Sequence, residues 1–518
     1  MPLETEVAPA SLPAADASAG SLTSAQIPVA EPSGAAPVVR WLESHALFIA
    51  AFAAVVVLSL AGIPAHLSQD GWLALAAGRI IALHGIPQHD YLTVMAHGVR
   101  WNDQQWLAQL LMYGLDRLGG LALLTVLYVL ITGFAFAMAI GAARRLGAED
   151  RHVLAMLPLG AFFYLATAVS IRTQGFAYPL FVATLWLLAS EARRPTRRAY
   201  LVFPILILWA NLHGSATLGA GIGFLYGACL LGQGFLATRW RGLLDRRGLA
   251  FVIGSPLCLL VTPYGLSILT YYKATLFNPE FSKLVSEWQP VTAYMVLAVP
   301  LLLVIVGTVW AMGRSGRRTP AFDQLVLAAL ALGAIDAVRN ITWFGLALVI
   351  LVPTTLTGLL KSKPAAPRRY RLNLTLAGAS IALTLVMVIA TLGRPASWFE
   401  STYPTRAVSV VRTLLKRNPN AKIFADVRFA DWLVWHDPAL SGHIAYDTSF
   451  ENLTLQQLET LNSLGQALLP GQRDPLAPYS VLVLYPKNTS VNKLLIARTH
   501  AHVVLRTKRV LIATKTAT

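Results

Sequence analysis

Apolar runs of about 17 to 24 residues recur along this 518-residue chain, and each is long enough to cross a hydrocarbon core of roughly 30 Å as a helix. Such segments satisfy their backbone hydrogen bonds internally, so the chain is constrained to a bundle of membrane-spanning helices. The runs are 45–64, 120–142, 152–170, 174–192, 199–212, 215–236, 248–269, 292–312, 321–337, 341–360 and 372–392, about eleven crossings. Composition agrees: 55% of residues are hydrophobic and 13% charged, against roughly 25% charged in an average soluble domain.

The net charge of +17 is distributed as a membrane topology requires. Arg40, Arg144/Arg145/Arg151, Arg193/Arg194/Arg197/Arg198, Arg239/Arg241/Arg246/Arg247, Arg314/Arg317/Arg318 and Lys361/Lys363/Arg368/Arg369/Arg371 fall in alternate loops, twenty in all. The opposite short loops hold seven: Arg79, Arg100, Arg117, Arg172, Lys273, Lys283 and Arg339. By the positive-inside rule the first set is cytoplasmic, so the N-terminus is inside and the C-terminal segment outside. A nucleic-acid surface would not be divided among turns between spans. Residues 1–40, rich in Ala, Pro, Ser and Glu, are expected to form a disordered cytoplasmic tail, and no cleavable signal precedes the first run. Cys229 and Cys258 both fall inside spans, which argues against a disulfide framework or a thiolate metal site.

The expected domains are a transmembrane region, 41–392, and a small α/β domain outside the membrane, 393–518. The first external loop, 65–119, carries two interfacial helices, one from about Trp72 to Leu83 ended by Gly85 and Pro87, the other from Gln104 to Leu118. From Arg394 short apolar strands alternate with amphipathic helices: helix 405–417, strands 421–427 and 444–446, helix 454–468, strand 480–485, helix 490–499, and strands 502–506 and 509–514.

Asp70 stands at the outer mouth of the first span, where a carboxylate is costly unless solvated or paired and is a functional candidate by default. It fits a base or a metal ligand, and equally the cap of the following helix. Asp103 and Asp90 are further acids of the same loop, with helix-capping and turn roles as their structural alternatives. Polar groups also gather in the short outer turns: Arg172 and Gln174, Asn211 and His213, Arg339 and Asn340. Converging on one external cavity, they suit an anionic phosphate or pyrophosphate; otherwise they snorkel or bond between helices. In the loop 271–290, Lys283 fits a phosphate, Glu287 a sugar hydroxyl or a metal, and Trp288 a sugar ring or the aromatic belt. Asp336 is expected to pair with Arg339. Nucleotide-binding loops, zinc-protease and serine-hydrolase motifs are absent from the sequence.

Four stretches carry a resemblance. Asp70-Gly-Trp-Leu-Ala-Leu-Ala-Ala-Gly-Arg79 with the Trp101-Asn-Asp-Gln-Gln-Trp-Leu107 segment, Trp209-Ala-Asn-Leu-His-Gly214, and Tyr403-Pro404 resemble a bacterial branch of the C-type membrane glycosyltransferases. That superfamily includes protein O-mannosyltransferases and the lipid A aminoarabinose and galacturonic acid transferases. The resemblance implies a sugar donor on polyprenyl phosphate, an envelope lipid, glycan or protein acceptor, and a multi-pass inner-membrane enzyme working on its periplasmic side. Asp70 would be the catalytic base and Asp103 or Asp90 the second acid. Gly71 stands where some members carry another acid, which leaves the divalent metal an open requirement. A transporter or flippase of a lipid-linked sugar, or a non-catalytic envelope scaffold, is the alternative.

Overall fold

The computed structural model describes residues 36–63, 67–316, 319–360, 369–466 and 474–515. Most of the expected N-terminal tail, Arg317/Arg318 and Lys361/Lys363/Arg368 lie outside the described residues. Helices occupy all the expected spans. In chain order they are α1 (Pro37–Ser44), α2 (Ala46–Ala61), α3 (Gln69–His84), α4 (Trp106–Arg145), α5 (Asp150–Ala168), α6 (Ala177–Arg193), α7 (Val202–Leu212), α8 (Ala216–Thr238), α9 (Arg246–Leu257) and α10 (Ile268–Leu276). A short α11 (Phe281–Leu284) precedes α12 (Met295–Ser315), α13 (Ala321–Asp336), α14 (Ile341–Leu359) and α15 (Tyr370–Leu392).

Among the described residues seven helices are long and apolar enough to cross a membrane, and nine if each of two bent pairs is one span. The other two expected crossings, α7 and α13, are 11 and 16 residues long. The chain is a multi-pass membrane protein. One expected span needs correction: 248–269 is not one helix but two, since Arg246–Leu260 and Gly265–Leu276 meet at 94°. Between them lies Pro263, which lacks a backbone donor, and the second begins at Gly265 with φ +52°. In α4 the backbone breaks at Gly119 and Gly120, so the expected loop helix and the following span are distinct segments.

The C-terminal region adds α16 (Ala396–Phe399), α17 (Thr405–Arg417), α18 (Val427–His436), α19 (Leu455–Ser463) and α20 (Thr489–Thr499) around β1 (Ile423–Ala425), β2 (Val481–Leu484), β3 (His502–Arg506) and β4 (Leu511–Thr514). The mixed sheet has the order β1-β2-β4-β3, with β1 and β2 parallel and the other pairs antiparallel. The expected strand 444–446 is reduced to bridges, Ile444 pairing with both Ile423 and Thr93. The expected strand 421–427 ends early because Asp426 caps α18, its side chain accepting Arg428 N–H at 3.1 Å.

That helix, absent from the sequence expectation, determines where α3 sits. Trp72 and Leu75 are fully buried, because α3 is clasped between α4 and α18. Close approach to α4 needs Gly78, whose Cβ would lie 2.2 Å from Gln109 O. On the other side Arg79 donates to the carbonyls of Trp435 and Val434 at 2.8 and 2.9 Å, capping the C-terminal end of α18. Tyr403 donates to Leu67 O at 3.2 Å, and Val94 and Met95 N–H bond Ile444 and Ala445 carbonyls at 2.7 and 3.0 Å. Loop one and the C-terminal domain thus form one packed body.

Candidate active site

Asp70 lies in the first turn of α3, with Ser68 at the N-cap position. The carboxylate makes no capping bond, so the structural alternative for Asp70 does not describe it. A parallel bridge between Leu67 and Ile171 lays the turn before α6 against the start of α3. Gly71 is needed there: its Cβ would meet Ile171 O at 2.6 Å. A second acid at this position has no room for its first carbon.

The bridge brings Arg172 beside Asp70. Arg172 Nη1 is 2.5 Å from Glu287 Oε2 and 3.5 Å from Asp70 Oδ2. The arginine is 5% exposed, and its Nε and Nη2 have no hydrogen-bond partner. Buried donors without partners are rare, and these two have the chemistry to hold an anion. Burial alone would ease proton loss from Arg172, but Glu287 and Asp70 more than offset it and keep it charged. Glu287 is likewise pushed up by burial and pulled down further by Arg172 and Arg339, so it stays ionised.

Arg339 completes the cationic side, its guanidinium 4.3 Å from the centre of the Trp288 ring. Val338 N–H donates to Gln289 O at 3.0 Å, which fixes the loop holding Glu287 and Trp288 against this turn. Asp336, exposed at the end of α13, does not pair with Arg339 as expected, because Arg339 turns to the Trp288 face. Asp70 is raised above the ordinary carboxylate range by the protein around it, Arg172 opposing and Glu287 adding to the effect. Its side chain is still 48% open to solvent, which moderates that rise. The result is an accessible carboxylate with strengthened proton affinity beside two arginines.

The remaining expected site residues divide into two groups. His213 Nδ1 accepts Ser215 N–H at 3.0 Å, so the neutral ring carries its proton on Nε2. Burial, Arg339 and Arg172 hold it well below the ordinary histidine range, which also places it in their field. Gln174 is buried with an unpartnered Oε1. Asn211, in contrast, is consumed by structure: it accepts Trp106 Nε1–H at 2.9 Å and donates to Ile207 and Val261 carbonyls. Asn340 donates to Gly333 O at 3.0 Å. Lys283 is 62% exposed and bound to Glu280 at 2.6 Å, so the structure does not bring it to the arginines. Asp90 accepts Leu92 and Thr93 N–H at 2.8 and 3.2 Å, the turn role. Asp103 is wholly buried and accepts Gln105 N–H and Gln109 Nε2 at 3.2 and 3.0 Å; burial pushes it up to about 7.

Sequence reasoning missed Tyr271 and Gln104, which join two external loops beside the His213 turn. Their signal is tertiary, since Gln104 Nε2 meets Tyr271 Oη at 2.7 Å across 167 positions. Among the described residues no three His, Cys, Asp or Glu side chains are grouped to hold a metal ion. Asp70 and Glu287 have the Arg172 cation between them, a donor set that does not fit a metal. Two cavities lie elsewhere: about 670 Å³ beside Glu191 and Gln233, and about 540 Å³ between the end of α3 and Pro438.

The helices form a polytopic bundle whose first loop is clasped by a C-terminal α/β region, with Asp70 beside the buried Arg172. The chain has the fold of the C-type membrane glycosyltransferases. An oligosaccharyltransferase from Archaeoglobus fulgidus, tethered to an acceptor peptide with an NVT sequon, superposes with a TM-score of 0.50 over 87% of this chain and 71% of its own, at 13% identity. ArnT from Cupriavidus metallidurans, bound to undecaprenyl phosphate, gives 0.47 over 91% and 98% at 16% identity. No protein-family model matches the chain, and no curated protein matches it.

Proposed function

We propose that the protein is an inner-membrane glycosyltransferase that moves one sugar from a polyprenyl-phosphate carrier to an envelope lipid, glycan or protein on the periplasmic side. The observation that carries this reading is the Asp70–Arg172–Glu287 arrangement: a base with open access next to a buried guanidinium with unmet donors. The fold shared with an oligosaccharyltransferase tethered to an acceptor peptide is in keeping with it.

In this mechanism the donor phosphate lies on Arg172 and Arg339, whose charge stabilises the negative charge that grows on it as the glycosidic bond breaks. Glu287 positions Arg172. Asp70 accepts the proton from the acceptor nucleophile as that atom bonds to the anomeric carbon, and the polyprenyl phosphate departs with the bonding electrons. His213, neutral and carrying its proton on Nε2, offers one more hydrogen bond. Asp103 and Asp90 hold loop one in place, and the C-terminal domain from residue 393 holds α3.

The test is transfer of label from radiolabelled polyprenyl-phosphate sugars to envelope lipid extract by purified protein in nanodiscs. Product that depends on Asp70 supports the transferase. Saturable donor binding without transfer, unchanged in Asp70→Asn, favours a transporter or binding protein instead.

A further inference from the structure

The cavity of about 670 Å³ lies at the end of α6 remote from Arg172. That helix has 17 residues, so about 25 Å separates the two. The last turn of α6, the second half of α8, the end of α12 and the start of α13 enclose the cavity. Glu191, Leu230, Met312 and Phe322 line its wall, and the exposed Gln233 and Gly313 form its mouth. This face carries the basic turns and is cytoplasmic by the positive-inside rule.

The acids here are already neutralised. Glu191, 3% exposed, accepts Arg247 Nη2 at 2.6 Å, and the wholly buried Asp323 accepts Arg193 Nη2 at 2.6 Å. Two cations are left over. Arg194 stands between the lining residues Ala192 and Pro195, and Arg314 between Gly313 and Gly316. Both are exposed, and neither has an ion-pair partner among the described residues. The Gln233 amide is unpartnered there too. Next to the cavity Val306, Val309 and Trp310 of the spanning helix α12 are 67%, 63% and 66% exposed, and in a bilayer such surface meets lipid tails.

A cavity of this volume is in the range of a ligand pocket. Its apolar wall beside lipid-facing surface and the unpaired guanidinium groups at its mouth match the two ends of one kind of molecule. We propose that this cleft binds an anionic phospholipid of the cytoplasmic leaflet, with the phosphate on Arg194 and Arg314, the headgroup hydroxyls on Gln233, and an acyl chain against Leu230, Met312 and Phe322. A neutral lipid lacks the charge for the mouth, and a nucleotide lacks the tail for the wall. Binding there does not depend on transfer at Asp70.

The experiment titrates the full chain, delipidated in detergent, with dioleoyl phosphatidylglycerol or dioleoyl phosphatidylcholine and follows bound lipid by native mass spectrometry. Wild type binds one phosphatidylglycerol more tightly than phosphatidylcholine. Arg194→Ala with Arg314→Ala weakens that binding about thirtyfold, the loss of two arginines at about 1 kcal/mol each. Arg369→Ala with Arg371→Ala removes the same charge at the exposed start of α15 and leaves it unchanged. Gly313→Trp keeps both arginines and fills the mouth, where a Cβ meets nothing within 4 Å; it abolishes the tight binding. In a second arm, phosphatidylglycerol with a diazirine on its acyl chain labels segments 226–233 and 312–316 of wild type, and Gly313→Trp loses that label. Equal affinity for the two lipids, tight binding retained by either cavity variant, or label confined to other segments overturns the proposal. Polyprenyl phosphate that displaces phosphatidylglycerol at lower concentration assigns the cleft to the carrier lipid and overturns it as well.

Discussion

Arg172 Nη1 lies 3.5 Å from Asp70 Oδ2, an ion pair rather than a close hydrogen bond, because the same nitrogen is held 2.5 Å from Glu287. Glu287 takes most of the cation, and Asp70 remains free to receive a proton. The three residues come from three different loops, so the site exists only in the folded bundle.

Removing the base tests the first role. Asp70→Asn keeps the shape of the side chain and is expected to lower transfer about 10²- to 10⁴-fold with an unchanged melting temperature and size-exclusion profile. Near-normal turnover would remove Asp70 from the chemistry.

The arginines are predicted to act on the donor. Arg172→Ala and Arg339→Ala each weaken polyprenyl-phosphate binding by about 1.5 to 3 kcal/mol, the range for a charged hydrogen bond, read by titration calorimetry in nanodiscs. Glu287→Gln weakens it less, through loss of Arg172 orientation, and leaves the acid limb of the rate profile in place. Unchanged donor affinity in all three variants returns the cluster to a structural role.

The pH dependence follows from the sign of the Asp70 shift. Its pKa is raised by the surrounding protein, and the base must be ionised to act, so transfer falls as pH drops through a value above the ordinary 3.8. Asp103 is predicted to behave oppositely in a stability measurement. Burial lifts it to about 7, so its ionisation opposes folding from about the unfolded value up to pH 7 and by a constant amount beyond. Asp103→Asn, which retains the oxygen that accepts from Gln105 and Gln109, is expected to raise the melting temperature more at pH 8 than at pH 4 while transfer persists. Loss of transfer without a pH-dependent gain in stability would make Asp103 a reacting group.

Gly71 offers a test of the loop geometry. Gly71→Ala pushes a Cβ into Ile171 O, and Asp70 and Arg172 must separate to admit it. The variant is expected to fold with a lower melting temperature and a larger loss in rate than in stability, while Arg79→Ala, which loses two bonds to the end of α18, lowers stability by about 2 kcal/mol. Full activity in Gly71→Ala would show that the bridge to Ile171 does not set the site.

Much of this was legible in the chain before any coordinates. Hydropathy located the helices, because a span's requirement is carried by its own residues, and the helix 405–417 coincides with α17. The break at 261–265 was hidden by an apolar run that continues through Pro263, and α18 by a segment whose Phe429, Trp432 and Val434 suit a strand as well as a helix. Asp70, Arg172, Arg339 and Glu287 were each visible as polar residues at span ends. What the sequence lacked was pairing: that Glu287 serves Arg172, that Lys283 turns to Glu280, and that Asn452 reaches Asp90 across 362 positions are facts of tertiary contact.

The most direct measurement compares wild type and Asp70→Asn in nanodiscs for transfer of radiolabelled sugar from polyprenyl phosphate to envelope lipid extract, with donor binding measured on the same samples. The account predicts labelled product from wild type, none above background from the variant, and equal donor binding by both. Labelled product from Asp70→Asn at the wild-type rate would contradict it.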